Sequence, residues 1–180
     1  MDGGTRRVAV PVAVVANEQV SVLINEAAVA RLAEVVLGEL GVHGDVELSV
    51  SFVTEDAIAA LNERYRGRKG PTDVLSFAID DDSGERHGTQ ASGLPSLLGD
   101  IVICPAIAAR NAPEHRGDRG HDGSVRDELA LLLIHGILHI RGWDHEEEEE
   151  AEAMEALEAQ LLERYRTWRS QEGVELVREG

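Results

Sequence analysis

Three histidines stand close together in the chain, at positions 135, 139 and 145. His135 and His139 are four positions apart in an apolar stretch, so in a helix both side chains project from one face, one turn apart. Gly142 follows where such a helix would end, because glycine accepts the left-handed conformation that closes many helices. The chain can then fold back and bring His145 to the same point. The spacing therefore predicts one metal ion held by His135, His139 and His145.

A set of three protein ligands has a specific chemical meaning. Zinc sites that perform chemistry usually keep the fourth position for a water molecule, whose pKa falls to about 7 on binding. For any single histidine, a place in the core or on the surface is the simpler interpretation. Here all three fall in a stretch of eleven residues that is rich in Leu and Ile. Imidazoles buried in such a stretch need polar partners. A shared cation, most simply one Zn²⁺ ion, supplies them.

The same histidine spacing occurs in the metzincin peptidases, whose pattern is His-Glu-x-x-His-x-x-Gly-x-x-His, with the glutamate as general base. In this chain Gly136 stands at the position of that glutamate. The segment His-Gly-x-Leu-His-x-x-Gly-Trp-Asp-His instead resembles the zinc motif of the YbeY endoribonucleases, the ribosomal RNA maturation factors. That family usually has tyrosine where this chain has Trp143, so an aromatic side chain is kept.

Two further segments resemble the same family. Residues 61–77 contain Leu-Asn, Tyr-Arg-Gly and Pro-Thr-Asp-Val-Leu-Ser-Phe in the family's order, followed by Ala78 where proline is usual. Residues 98–104, Leu-Gly-Asp-Ile-Val-Ile-Cys, resemble another block. The resemblance extends from about residue 45 to 165.

The segment 61–77 also carries a cluster of positive charge, Arg64, Arg66, Arg68 and Lys69. Cations near the C-terminus of a helix complement its dipole, so a solvated helix end is one interpretation. By the resemblance, Arg66, which follows the tyrosine, is an active-site residue.

The resemblance implies a metal-dependent endoribonuclease. Its substrate would be single-stranded RNA, above all the 3′ end of the small-subunit ribosomal RNA, with a further role in ribosome quality control. The ribosome or its small-subunit proteins would be partners. Zinc on the three histidines would polarise a phosphodiester oxygen or supply hydroxide, while Arg66 would hold the phosphate.

Two other functions are consistent with these residues. A non-catalytic ribosome-associated factor could carry a structural zinc, which would be closed by a fourth ligand such as Cys104, Asp144 or His121. A metallopeptidase fits the ligand spacing but is disfavoured by Gly136.

The composition sets limits on the partners. The net charge is −17, which argues against a protein that coats nucleic acid, so RNA binding must be local.

Cys104 is the only cysteine, which favours a reducing cytoplasm. We expect no membrane span. Arg6 and Arg7 with the apolar run 8–16 mimic a secretory signal, but Pro11 and the abundance of valine favour a first strand.

Periodicity and capping residues predict an α+β domain, with helices packed on a small mixed β-sheet and the zinc-binding helix in the core, as in metalloproteases. We expect one domain over 1–180, with poorly defined ends at 1–20 and 169–180. The predicted elements are a helix from Asn25 to about Leu40, a strand 46–53, a helix 55–65 capped by Thr54, strands from Asp73 and over 98–104, a helix from Pro105 to about Asn111, the metal helix from about Val125, and a last helix headed by Glu146–Glu150 and ending near Trp168.

The remaining expectations concern loops and ends. Residues 81–97 are predicted to form a polar loop, and the loop 112–124 is predicted to leave His115 and His121 exposed. Asp144 is predicted to cap the last helix or to orient a metal ligand. Residues 171–180 are predicted to form a frayed tail.

Overall fold

A computed structural model describes residues 11–79 and 95–178 of the chain. Within these ranges four strands and five α-helices follow one another in the order β1 (Val12–Asn17), α1 (Glu26–Glu39), β2 (Val46–Phe52), α2 (Glu55–Arg66), β3 (Val74–Ala78), β4 (Ser96–Ile103), α3 (Pro105–Asn111), α4 (Val125–Ile140) and α5 (Glu148–Glu172).

The four strands form one mixed sheet in the order β1-β2-β4-β3. The pairs β1–β2 and β2–β4 are parallel, whereas β3 runs antiparallel to β4. Along β2, residues alternate between fully buried and partly exposed positions, as expected for a strand that turns one face to the core. The predicted α+β class with a small mixed sheet is confirmed.

Local sequence signals define the beginnings of the first two helices. The side chain of Asn25 accepts a hydrogen bond from the backbone N–H of Ala28, and that of Thr54 accepts one from the N–H of Ala57. These bonds satisfy N–H groups that have no partner inside the helix. Both caps are located where the sequence predicts them.

Helix α4 lies at the centre of the molecule. Strands β3 and β4 and helices α1, α3 and α5 all contact it. The run from Leu129 to Ile134 is buried on every side of the helix, a pattern typical of a helix surrounded by protein. The prediction that the histidine-bearing helix forms part of the core is therefore correct.

The C-terminal segment differs from the predicted frayed tail. Helix α5 continues to Glu172, and Leu176 beyond it is only 1% exposed. The carbonyl oxygen of Leu176 accepts a hydrogen bond from the N–H of Asn25 (2.8 Å), and the N–H of Arg178 donates to the carbonyl of Leu23 (2.8 Å). Burial of one leucine and pairing with the residues before α1 hold this segment in place.

Two other expectations need correction or lie outside the described residues. The cap position of α5 is Glu147, not Asp144, and it makes no side-chain capping bond. Strand β4 begins at Ser96, so the end of the predicted loop 81–97 is strand, while residues 81–94 lie outside the described ranges, as do residues 1–10. None of the described helices is long and apolar enough to cross a membrane.

Candidate metal centre

The C-terminus of α4 forms the turn that the sequence predicts. Gly142 adopts a left-handed conformation with φ of 87°. Its N–H donates to the carbonyl of His139 (3.0 Å), and the N–H of Trp143 donates to the carbonyl of Leu138 (3.0 Å). This paired pattern is a Schellman motif, which reverses the chain direction at a helix end. It brings the following segment, with His145, back towards the helix face.

The three histidines converge as their spacing predicts. One ring nitrogen of each side chain lies within 4.8 Å of the ring nitrogens of the other two. Nε2 of His135 and Nε2 of His139 are 3.0 Å apart. The ring centroids of His139 and His145 are 5.1 Å apart, and those of His135 and His145 are 6.1 Å apart. His135 and His139 are partly buried, whereas His145 is exposed, so the cluster opens towards solvent.

The chemistry of this donor set fits a divalent cation. Two imidazole nitrogens 3.0 Å apart require a proton or a cation between their lone pairs. Burial, and after it the neighbouring His135 and His145, lower the pKa of His139 below its ordinary value. A lowered pKa favours the neutral imidazole, which is the form that binds metal. Three neutral imidazoles form a typical zinc site.

A buried carboxylate on α5 contacts the first of these rings. Oε1 of Glu158 lies 2.7 Å from Nδ1 of His135. Because a carboxylate only accepts, Nδ1 carries the hydrogen and Nε2 keeps its lone pair for the cluster. The sequence did not predict a role for this residue. Glu158 follows Met154 by four positions on the apolar stripe of α5, and an acid on such a stripe is a signal for a buried partner.

Among the described residues, no fourth His, Cys, Asp or Glu joins the cluster. Cys104 is fully buried in a small apolar cluster. Oδ1 of Asp144 accepts a hydrogen bond from the backbone N–H of His145 (2.7 Å). His121 faces Glu128 instead. The three residues considered as closing ligands therefore have other contacts.

A cleft of about 390 Å³ lies beside the cluster. Its walls include His135 and His145 and three charged side chains, Arg119, Glu155 and Glu158. Two of the prospective ligands thus border a space that small molecules or a chain segment can enter.

Gly136 permits close contact between α4 and β4. A Cβ atom at this position would lie 3.0 Å from two side-chain atoms of Ile101. The position that carries the general base in metzincins therefore points into the packed interface with the sheet. A glutamate side chain has no room there.

Arg66 is the last residue of α2, and its side chain is exposed. Gly67 ends the helix with φ of 65°, and the side-chain amide of Asn62 donates to the carbonyl of Gly70 (2.9 Å), which fixes the loop that follows. No hydrogen bond or ion pair in the described ranges joins Arg66 to the three histidines. The same ranges contain no ion pair that engages Arg66, Arg68 or Lys69, so the cations of this loop are available to a ligand.

The prediction that His115 and His121 are exposed is wrong for His121 and only partly right for His115. His121 is 2% exposed and His115 is half-buried. Both face the buried carboxylate of Glu128, at 3.1 Å from Nε2 of His121 and 2.9 Å from Nδ1 of His115. The adjacent Asp127, also buried, pairs with Arg166 of α5. Because α4 is apolar all round beyond these acids, their burial could have been inferred from the sequence.

The chain is similar in sequence and in fold to known proteins. A sequence model of the family described as "Endoribonuclease YbeY" matches residues 14–166. The protein named "Endoribonuclease YbeY" from Salinispora tropica is 44% identical over 147 residues, which cover 80% of this chain and 90% of that protein. The protein of the same name from Thermobifida fusca is 43% identical over 152 residues, covering 84% and 92%. The solution structure of TM1509 from Thermotoga maritima superposes with a TM-score of 0.51 at 28% identity, covering 88% of this chain and 93% of that one.

Proposed function

The chain belongs to the YbeY endoribonuclease family, and we propose that it is a zinc-dependent endoribonuclease that cuts single-stranded RNA during ribosomal RNA maturation. The observation that carries the proposal is the convergence of one ring nitrogen from each of three histidines within 4.8 Å. An open cluster of this composition, rather than a closed one, is typical of catalytic zinc.

Each residue has a stated role in this proposal. His135, His139 and His145 would hold the ion, which when bound supplies a Lewis acid and lowers the pKa of a coordinated water. Glu158 keeps the ring of His135 in the orientation that leaves Nε2 free. Arg66 binds phosphate oxygens through its fixed fork of N–H donors and offsets the negative charge that develops as the phosphodiester reacts.

The proposal leaves two routes for the attacking group, and the products distinguish them. Attack by the neighbouring 2′-hydroxyl of the RNA leaves a 2′,3′-cyclic phosphate, whereas direct attack by water does not. Gly136 offers no carboxylate base for either route. Analysis of the product ends therefore assigns the nucleophile.

We further propose that the biological substrate is the 3′ end of the small-subunit ribosomal RNA, in the cytoplasm, and that the ribosome or its small-subunit proteins are partners. The net charge of −17 supports a requirement for such a partner, because the chain as a whole repels RNA. The cations around Arg66 then provide a local contact once RNA is delivered.

The structure gives reasons against the two alternative functions. A metallopeptidase would need a general base at position 136, where a side chain would meet Ile101. A structural zinc would need a fourth protein ligand, and none joins the cluster within residues 11–79 and 95–178.

The decisive experiment combines metal analysis with a cleavage assay on single-stranded RNA. We expect about one zinc ion per chain and cleavage that a chelator abolishes. Arg66→Ala should retain the zinc and lose cleavage by about 10²- to 10³-fold, the usual cost of removing a group that stabilises developing charge. Arg164→Ala is the matched control. Arg164 is an exposed arginine of α5, and it pairs with Glu39 of α1.

Two results would count against the proposal. Cleavage at the wild-type rate by Arg66→Ala would remove this residue from the mechanism. Wild-type protein that binds zinc but leaves single-stranded RNA intact, alone or with ribosomal subunits, would favour the non-catalytic factor.

A further inference from the structure

Glu158 is a carboxylate that the fold buries at the edge of the histidine cluster. The residue is 2% exposed. A buried charge is costly unless hydrogen bonds or an opposite charge satisfy it. Oε1 lies 2.7 Å from Nδ1 of His135, and Oε2 forms an ion pair with Nε of Arg119 at 2.6 Å. Glu158 therefore links an arginine to a prospective metal ligand.

Arg119 reaches this position from the loop between α3 and α4. It has φ of 50°, the one non-glycine residue in the described ranges with a positive φ. A left-handed conformation costs an ordinary residue about 1 kcal/mol or more, so the surrounding structure must impose it. The loop is fixed by a hydrogen bond from the N–H of Gly117 to the carbonyl of His121 (2.8 Å) and by the buried contact of His121 with Glu128.

The guanidinium of Arg119 contacts two acids on successive turns of α5. Besides Glu158, it pairs with Glu155, at 3.1 Å from Nη2 to Oε1. Glu155 is 61% exposed and has no recorded contact with a histidine, so that pair contributes little. The contact with Glu158 is different, because the carboxylate is buried and is shared with His135, although the arginine side chain remains partly exposed.

We propose that Arg119 and Glu158 form a positioning pair for the metal centre. Glu158 fixes the Nδ1–H tautomer and the ring orientation of His135, and Arg119 holds Glu158 in the geometry that makes this contact. Neither residue touches the substrate. This inference rests on the metal site put forward under Proposed function. It adds Arg119, which acts through Glu158, and an effect of the pair on metal affinity.

Removing the pair has calculable consequences. Outer partners of metal-binding histidines typically contribute about 10- to 100-fold in metal affinity. Glu158→Gln keeps the shape, but its amide can offer a carbonyl oxygen to only one of two donors, Arg119 or His135. We expect this variant to bind zinc about 10- to 100-fold more weakly. Arg119→Gln should bind it more weakly by a smaller factor, since His135 still has a carboxylate partner.

The first measurement is zinc affinity, by competition with a chromogenic chelator, for wild type, Glu158→Gln, Arg119→Gln and the double variant. If Arg119 acts through Glu158, its substitution costs little further affinity once Glu158 is replaced. Glu155→Gln is the matched control, because it removes the other acid that contacts Arg119 and should leave the affinity within about twofold. Equal losses from Arg119→Gln in both backgrounds would overturn the positioning role of Arg119.

The second measurement needs no metal. Long-range proton–nitrogen NMR correlation of metal-free protein at pH 8 reports which nitrogen of His135 carries the hydrogen. We expect Nδ1–H in wild type and in Glu155→Gln, and a mixture of tautomers in Glu158→Gln. Thermal melting of each variant separates this effect from a loss of folding, and Arg119→Gln, at a partly exposed loop position, keeps the test valid if the buried substitution unfolds the protein.

These outcomes separate the inference from the proposed function. Unchanged zinc affinity and an unchanged tautomer in Glu158→Gln would overturn the inference while leaving a zinc-dependent nuclease intact. Wild-type protein that binds no zinc would overturn both, even if the tautomer is as expected.

Discussion

The histidines of this chain show that neighbouring hydrogen-bond donors and acceptors, rather than residue type, decide what an imidazole can do. Nδ1 of His135 faces a carboxylate, so Nε2 is left for the cluster. Nδ1 of His121 accepts a hydrogen bond from the backbone N–H of Gly123 (2.8 Å), so its hydrogen lies on Nε2, which faces Glu128. The first arrangement offers a lone pair to a cation, whereas the second uses Nδ1 in holding a loop and turns Nε2 towards a buried carboxylate.

Gly136 gives a residue-level prediction about packing. In Gly136→Ala the new Cβ would lie 3.0 Å from Ile101, and we expect the free energy of unfolding to fall by about 1–3 kcal/mol. Gly38→Ala in α1 is the matched control, because nothing lies within 4 Å of its Cβ position. Alanine should stabilise that helix by up to about 1 kcal/mol. Urea denaturation measures the free energy of unfolding of both variants. An equal change in the two variants would show that α4 and β4 can separate at no cost.

His115 gives a residue-level prediction about pH. Its hydrogen bond to Glu128, opposed by partial burial, raises the pKa of His115 above its ordinary value. A folded-state pKa above the unfolded one stabilises the protein fully below pH of about 6.5, and this contribution is lost as the pH rises through the folded-state value. We therefore expect His115→Gln to lose more stability at pH 6 than at pH 8.5. The measurement is urea unfolding at both pH values, and an equal loss at each would show that the pair carries no charge-dependent stability.

At the level of elements, the sequence predicts what local signals encode. The caps at Asn25 and Thr54, the alternation in β2 and the turn at Gly142 all involve neighbours within a few positions, and all are found. The three histidines converge for the same reason, since they belong to one helix and the turn after it.

The features that the sequence did not predict depend on contacts between distant segments. Glu158 lies 23 positions after His135. The segment after α5 pairs with residues before α1, and Glu128 attracts two histidines of a preceding loop. Polarity alone assigns such residues to the surface, whereas burial against a partner far along the chain reverses that assignment.

The docked C-terminal segment is testable as an element. Leu176 is 1% exposed, and Leu176→Ala should lower the free energy of unfolding by about 2–5 kcal/mol, as for other buried leucines. Val20→Ala is the control, since Val20 is 95% exposed and should change stability by less than about 0.5 kcal/mol. Chemical denaturation compares them. A Leu176→Ala protein as stable as wild type would show that the segment after α5 contributes nothing to the folded state.

For the whole molecule, charge is distributed unevenly. The chain has 34 acidic and 17 basic side chains, and five of the acids form the exposed run 146–150. Several arginines elsewhere are already paired with acids, whereas Arg66, Arg68 and Lys69 have no ion pair among the described residues. The loop after α2 therefore carries three cations that no acid in residues 11–79 and 95–178 pairs with, as the proposed contact with phosphate requires.

The described residues contain two groups of side chains that could hold a metal ion. Which group binds an ion depends on the charges around each of them. Besides the three histidines, His121, Asp122 and Asp127 lie close enough to share a cation. The carboxylate of Asp127 already pairs with the guanidinium of Arg166, whose positive charge opposes a second cation there. We therefore expect zinc to bind at the histidine cluster and to stabilise the fold through it.

Thermal melting of metal-free protein with and without added zinc tests this expectation. An ion at 100 times its dissociation constant stabilises the native state by about 2.7 kcal/mol, which raises the melting temperature of a chain of this size by roughly 5–10 °C. His139→Ala should abolish the rise, because removing a central ligand weakens binding to the native state. His43→Ala, which removes an exposed histidine outside both groups, should keep it. If zinc raises the melting temperature of His139→Ala as much as that of wild type, the stabilising ion binds elsewhere. The residues of the second group would then be substituted next.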